Sequence, residues 1–283
     1  MKDFKGRVAV VTGAGSGIGL GLARMFAAAG MNVALCDVRA DALARAVQEV
    51  TSFGQRAIGL EVDVSSADQV ETAAARVEAE LGRIDIACNN AGIALYPRPV
   101  AEFTDADWEW ILGVNLYGVI NGVRAFLPRI EKHGEGGHIV NTASIGGFQV
   151  QKGRRTAAYA TSKFGVVAFT EGLQNDLEGT NIGVSVLAPG AVNTDIYRAP
   201  EYRPDRFGGP AARPNTQTPD LSAGLHPDAV GRRVLQAIRD GEFYIFTHVS
   251  TRDWLARRHA RIISAFEATE RWAAQEAAEN KKI

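Results

Sequence analysis

Cysteine is scarce in this chain. Only Cys36 and Cys88 occur in 283 residues, and both stand in apolar, strand-like runs. So few thiols exclude a disulfide framework, and they read as buried and reduced. A regulatory disulfide is the other reading. A surplus of one charge is also lacking. The 31 basic and 32 acidic residues leave a net charge of -1. Nothing in that balance calls for nucleic acid or an anionic membrane as partner. The opening residues, MKDFKGRVAVVTGAG, lack a signal-peptide pattern. Their apolar run is too short to span a bilayer, so the expectation is a cytoplasmic protein. No His/Cys/Asp cluster has metal-site spacing, and no metal is expected. Internal repeats and clear linkers are missing too.

Apolar sequence is abundant, but in short pieces. Hydrophobic residues make up 46% and charged residues 22%, which are globular values. A chain of this length buries a large core without staples. Short β-branched runs lie at Arg7–Thr12, Asn32–Asp37, Ala57–Asp63, Ile84–Asn89, His138–Thr142, Gly183–Ala188 and Phe243–Thr247. Alanine-rich segments of helical spacing separate them, such as Asp41–Phe53 and Ala67–Leu81. Strands that are apolar throughout, alternating with helices, predict a parallel sheet covered on both faces. Right-handed crossovers make it doubly wound. The expected fold is one α/β Rossmann-type domain over residues 1–283, with seven mainly parallel strands.

Two regions break the alternation. Six of the ten prolines fall between Pro200 and Pro227. A stretch this long without strand pattern predicts a lid or a disordered loop, and we place a substrate lid at about 193–227. In the second region, about 251–279, Trp254, Leu255, Ile262, Ile263, Phe266 and Trp272 recur at helical spacing. That predicts a helical extension packing on the body or on a subunit neighbour.

The first strand runs into Thr12-Gly-Ala-Gly-Ser-Gly-Ile-Gly. Gly13, Gly17 and Gly19 allow a tight turn and close approach of a pyrophosphate at a helix N-terminus. A glycine turn with no ligand is the bland reading. Asp37 ends the second strand, 18 residues after Gly19. A carboxylate there accepts from ribose hydroxyls and repels a 2′-phosphate, which favours NAD over NADP. Arg39 points the other way, because a guanidinium pairs with phosphate. Ser16 stands in the loop where a basic residue would signal NADP. Asp63 and Val64 are placed to meet adenine; a helix cap with Ser65 and Ser66 is the alternative for Asp63.

Tyr159 and Lys163 lie four apart on a predicted helix, on one face. A phenol with a pKa near ~10 is a poor acid/base at neutral pH. A close ammonium stabilises the phenolate, so Lys163 is expected to lower the Tyr159 pKa.

Together these motifs resemble the short-chain dehydrogenase/reductase family. They are Thr12-Gly-x-x-x-Gly17-x-Gly19, Asn89-Asn90-Ala91-Gly92, Asn115, Ser144, Tyr159-x-x-x-Lys163 and Pro189-Gly190 with Thr194. The resemblance implies that Tyr159 exchanges a proton with the substrate oxygen, which Ser144 holds. It implies that Lys163 tunes the tyrosine, that Tyr159 and Lys163 both contact the cofactor, Lys163 at the nicotinamide ribose, and that Asn115 secures a relay water. It further implies that Ser16, Ile18, Asn90, Ala91, Gly92, Pro189, Gly190, Val192 and Thr194 join the glycines around the dinucleotide. Taken singly, Ser144 could cap a turn, Asn115 could satisfy backbone, and Lys163 could be a solvated lysine.

The expected pocket wall, Ile93, Leu95, Tyr96, Ile145, Phe148, Val150, Ala191 and Tyr197, is mostly apolar. It suggests a hydrophobic or aromatic secondary alcohol or ketone. Arg198, Arg203 and Arg206 read as a solvated loop face or an anion site. Asn115-Leu-Tyr-Gly-Val-Ile-Asn-Gly-Val and Phe243-Tyr-Ile-Phe resemble the branch that contains lignin aryl-ether Cα-dehydrogenases. The family resemblance also implies a homodimer or homotetramer built on helices at Asp107–Arg129 and Tyr159–Leu177. An NADP-linked 3-oxoacyl reductase and a non-catalytic dinucleotide sensor are the competing functions.

Overall fold

A computed structural model describes residues 1–211 and 220–279. Seven strands form one sheet in the order β3-β2-β1-β4-β5-β6-β7. They are β1 (Val8–Thr12), β2 (Asn32–Asp37), β3 (Ala57–Glu61), β4 (Ile86–Asn89), β5 (Gly137–Thr142), β6 (Ile182–Ala188) and β7 (Tyr244–Phe246). Every pairing is parallel. The sheet is therefore wholly rather than mainly parallel.

Both faces are apolar because both are covered. Ala9 and Val11 of β1 face one core with Val33 and Leu35 of β2. Val8 and Val10 face the other with Ala34 and Cys36. Helices α1 (Gly17–Ala28), α2 (Ala40–Thr51) and α7 (Pro227–Asp240) close the first face through Phe26, Val50 and Val234. Helices α3 (Ala67–Leu81), α5 (Gly118–His133) and α6 (Ala157–Asp176) close the second through Val77, Phe126 and Leu173. The chain order reverses across β1 and β4, and a doubly wound sheet opens its ligand crevice there, at the strands' C-terminal ends.

Helix α4 (Asp105–Leu112) runs through a single π-turn, Gly113–Tyr117, into α5. The combined stretch 105–133 is long and apolar enough to cross a membrane, but 56% of its apolar window is buried in the fold. We read it as a core helix. The expected lid carries two 3₁₀ turns, Ile196–Tyr202 and Asp205–Phe207; its residues 212–219 lie outside the described residues. The chain divides into two compact units, Met1–Thr247 and the residues from His248 onward. The second is dominated by α8 (Arg252–Glu279).

Candidate active site

One cleft at the C-terminal edge of the sheet brings together almost every expected site residue. Gly13, Ser16, Gly17, Ile18, Gly19, Asp37, Asp63, Val64, Asn90, Ala91 and Gly92 line it. So do Ser144, Tyr159, Lys163, Pro189, Gly190, Val192 and Thr194.

The glycine loop builds a cradle that side chains would fill. A Cβ on Gly19 would sit 2.1 Å from the Gly13 carbonyl oxygen. One on Gly13 would meet the Ala91 Cα at 2.8 Å, and Gly13 has a φ of 65°. Helix α1 starts here without a side-chain cap and without an acidic residue in its first turn. Its leading N–H groups and dipole end are therefore available to an anion in the cleft. This is the fit a pyrophosphate requires.

The strand ends beside the cradle are tied together by part-buried hydrogen bonds. Thr12 Oγ1 accepts from the backbone of Asn90 at 2.9 Å and of Ala91 at 3.0 Å. Asn90 Nδ2 donates to the Thr12 carbonyl at 3.0 Å, and its Oδ1 accepts from Thr142 Oγ1 at 3.3 Å. The loops after β1, β4 and β5 are thus tied into one rim.

Asp37 receives the Gly15 N–H on Oδ2 at 2.9 Å and the Arg39 N–H on Oδ1 at 3.0 Å. Arg39 reaches across, donating to Ser16 Oγ at 2.7 Å and approaching Asp37 Oδ1 at 3.4 Å. Both cofactor signals in the sequence, the carboxylate and the guanidinium, therefore occupy the same corner. Asp63 Oδ1 accepts from the Ser65 backbone and hydroxyl. Its other oxygen pairs with Arg206. The helix-cap alternative for Asp63 does not hold as stated: Ser66 caps α3, and Asp63 bonds only to Ser65 of that pair.

At the chemical end, Ser144 sits at the N-terminus of a 3₁₀ turn. Its hydroxyl accepts from the Gly146 N–H at 3.1 Å, and it lines the cleft together with Tyr159. Burial pushes the Tyr159 phenol up to about 12, against the opposing effect of Ser144. This corrects the expectation that Lys163 lowers it. Lys163 Nζ donates to the Thr142 carbonyl at 2.8 Å and lies 5.9 Å from the Tyr159 ring centroid. Burial also draws Lys163 down to about 7. Desolvation dominates at both groups.

Asn115 stands apart from the cleft lining. It is fully buried in the π-turn. Its Oδ1 accepts from the Ile93 N–H at 2.8 Å, and its Nδ2 donates to the Ile93 carbonyl and to Ser162 Oγ, each at 3.0 Å. The side chain thus satisfies backbone. A Cβ on Gly92 would stand 3.3 Å from Lys163 Nζ and 3.4 Å from Asn115 Oδ1, so both groups back onto the same glycine.

The pocket wall needs revision. Of the expected residues, only Ile93 and Tyr197 line the cleft. Leu95 packs under it with Trp110 and Ile111. Phe148 packs edge-on against Tyr244 and tilted against Phe246, and Val150 is exposed. Trp110, Val114, Ile196, Ala199, Tyr202 and Leu221 take their place. Trp110 and Val114 were legible only as helix residues; the tertiary fold aims them inward. Arg198, Arg203 and Arg206 are each paired. Arg203 binds Asp107 at 2.7 Å, Arg206 binds Asp63, and Arg198 binds Glu201 at 3.0 Å. Arg98 reaches the same Asp107 at 2.9 Å.

A parallel doubly wound sheet with a glycine cradle and a Ser–Tyr–Lys cluster in one cleft defines a dinucleotide-dependent oxidoreductase. Comparison with known proteins narrows this. The short chain dehydrogenase family model matches residues 7–203. A C alpha-dehydrogenase of Sphingobium sp. strain SYK-6 is 35% identical over 272 residues, covering 94% of this chain and 88% of that protein. The crystal structure of a short chain dehydrogenase/reductase from Burkholderia phymatum in complex with NAD aligns with TM-score 0.86 and 35% identity. That alignment covers 94% of this chain and 97% of the other. A metagenomic short-chain oxidoreductase in complex with NADP aligns with TM-score 0.69 and 27% identity, over 87% and 97%. The chain belongs to the short-chain dehydrogenase/reductase family.

Proposed function

We propose that this chain is an NAD-dependent dehydrogenase acting on a hydrophobic or aromatic secondary alcohol, or on the matching ketone. The carrying observation is that Ser144, Tyr159 and Lys163 come together in the cleft that also holds the glycine cradle. In this reading Ser144 holds the substrate oxygen and Tyr159 exchanges its proton. A bound nicotinamide dinucleotide supplies the chemistry of hydride acceptance or donation. Asp37 and Ser16 hold the adenosine ribose, Asp63 and Val64 the adenine, and Lys163 the nicotinamide ribose. Val192 and Thr194 meet the carboxamide and phosphates. Asn115 secures the relay water behind Gly92. The wall of Trp110, Val114, Ile196, Ala199 and Leu221 supports an apolar substrate, and the segment at about 193–227 acts as its lid.

Arg39 favours NADP as a second reading, since its guanidinium already engages Ser16. The same proposal places the protein in the cytoplasm, as one Rossmann domain with a helical extension, in a homodimer or homotetramer formed by α5 and α6. The test is a panel of secondary alcohols and ketones with NAD(H) and NADP(H), following absorbance of the reduced nicotinamide. Turnover with NAD that is lost in Tyr159→Phe supports the reading. No turnover over the panel, with binding of NADH intact, would leave the dinucleotide sensor as the better description.

A further inference from the structure

Helix α8 has a pattern that the site does not use. It is 28 residues long, about 42 Å at 1.5 Å per residue. Leu255, Ile262, Phe266 and Ala273 fall on one stripe at spacings of seven, four and seven. That spacing reads the same in both chain directions. Ile262, Ile263, Phe266 and Trp272 are all exposed, the last two at 60% each. An isolated helix carrying such a stripe in water is marginal, because packing rather than propensity supplies most helical stability.

The charges divide along the helix. Over 252–265 the helix carries Arg252, Arg257, Arg258 and Arg261 against Asp253 alone. Over 266–279 it carries Glu267, Glu270, Glu276 and Glu279 against Arg271 alone. The halves are +3 and -3, from four minus one in each case. Glutamates end the helix and no basic residue stands in its last turn. Within a single helix this end opposes the dipole. Against an antiparallel copy of the same helix, each basic half meets an acidic half.

We propose that α8 is a self-association surface, and that it pairs antiparallel with α8 of a second copy of this chain about a two-fold axis near residue 264. Such an isologous contact needs a self-complementary patch, which the stripe spacing and the +3/-3 halves provide. Leu255 of one copy then faces Ala273 of the other, and Ile262 faces Phe266. This surface is distinct from α5 and α6. An acidic C-terminal half also makes an anionic lipid surface a poor partner.

The full chain tests this directly. Cys36 and Cys88 are buried, and burial raises both thiols, so they are silent to mild oxidation. The double variant Leu255→Cys with Ala273→Cys is expected to form disulfide-linked dimers. Each single variant is expected to form none, because in this register its two copies stand about 27 Å apart. Phe266→Glu is expected to halve the mass seen by sedimentation while NADH binding stays intact. Linking of each single variant to itself shows a parallel pair and overturns the proposal. An absence of intermolecular linking in the double variant, or an unchanged mass for Phe266→Glu, overturns it equally.

Discussion

Lys163 donates a 2.8 Å hydrogen bond to the carbonyl oxygen of Thr142, at the end of β5. The strand thereby holds the buried Lys163 side chain one helical turn from Tyr159. The drop of the lysine from 10.5 to about 7 corresponds to roughly 5 kcal/mol of preference for the neutral amine. The folded chain therefore releases this proton near neutrality, whereas the unfolded chain holds it to about pH 10.5.

A stability prediction follows with a definite sign. Between about pH 7 and 10.5 the unfolded state binds more protons at this site, so its contribution to stability grows as pH rises. Below about pH 7 both states are charged and the full desolvation cost remains. Lys163→Met removes the dependence. Thermal unfolding at pH 6.5 and pH 10 should show the wild type gaining on the variant by up to roughly 5 kcal/mol. A gap that is constant with pH would contradict the burial of this charge.

Tyr159→Phe keeps the ring and removes the hydroxyl that meets Ser144. Loss of a general acid/base lowers kcat by about 10²–10⁴. Titration of nucleotide fluorescence should find NADH affinity changed less than about threefold, since Lys163, Asp37 and the glycine cradle keep most of the assigned dinucleotide contacts.

Asp37→Ala removes the carboxylate assigned to the ribose hydroxyls. Hydrogen bonds to a charged group contribute about 1.5–3 kcal/mol, so NADH should loosen by about 10- to 100-fold. NADPH should bind the variant at least as well as the wild type, with Arg39 freed from its carboxylate neighbour. Tighter binding of NADPH than NADH by the wild type would reverse the reading of this corner.

Asp107→Asn breaks a buried junction. Asp107 is 1% exposed and takes Arg203 on one oxygen and Arg98 with Thr104 on the other. Burial favours its neutral form, but the Thr104 bonds and the two arginines hold the carboxyl below its usual range. These partners belong to the loop after β4 and to the lid, so one carboxylate joins two sides of the pocket. The variant should lose about 2–3 kcal/mol in urea unfolding. Its KM for the alcohol should rise more than its Kd for NADH, because the cradle of Gly13 and Gly19 is remote from this junction.

Much of the fold was legible because a parallel sheet demands apolar residues on both faces of each strand. The run Asn32–Asp37 became β2 residue for residue, and the gap between Gly19 and Asp37 placed the carboxylate beside the glycine loop. The substrate wall was not legible. Trp110 and Phe148 look alike as aromatic residues near motifs, yet one lines the cleft and the other packs against β7. Which way each faces depends on the turn of its helix or loop against partners far away in sequence.

By itself the sequence determined the strand order of chemistry: glycine cradle, acidic strand end, serine, then tyrosine and lysine. These are local signals, set by backbone freedom, periodicity and residue type. Only the tertiary structure decided the protonation balance of Tyr159 and Lys163, the engagement of Asn115 with Ile93, and the pairing of the lid arginines with Asp63 and Asp107. Each of those depends on how much water is excluded and on which distant groups are brought within hydrogen-bond reach, and neither quantity is a property of a short stretch of chain.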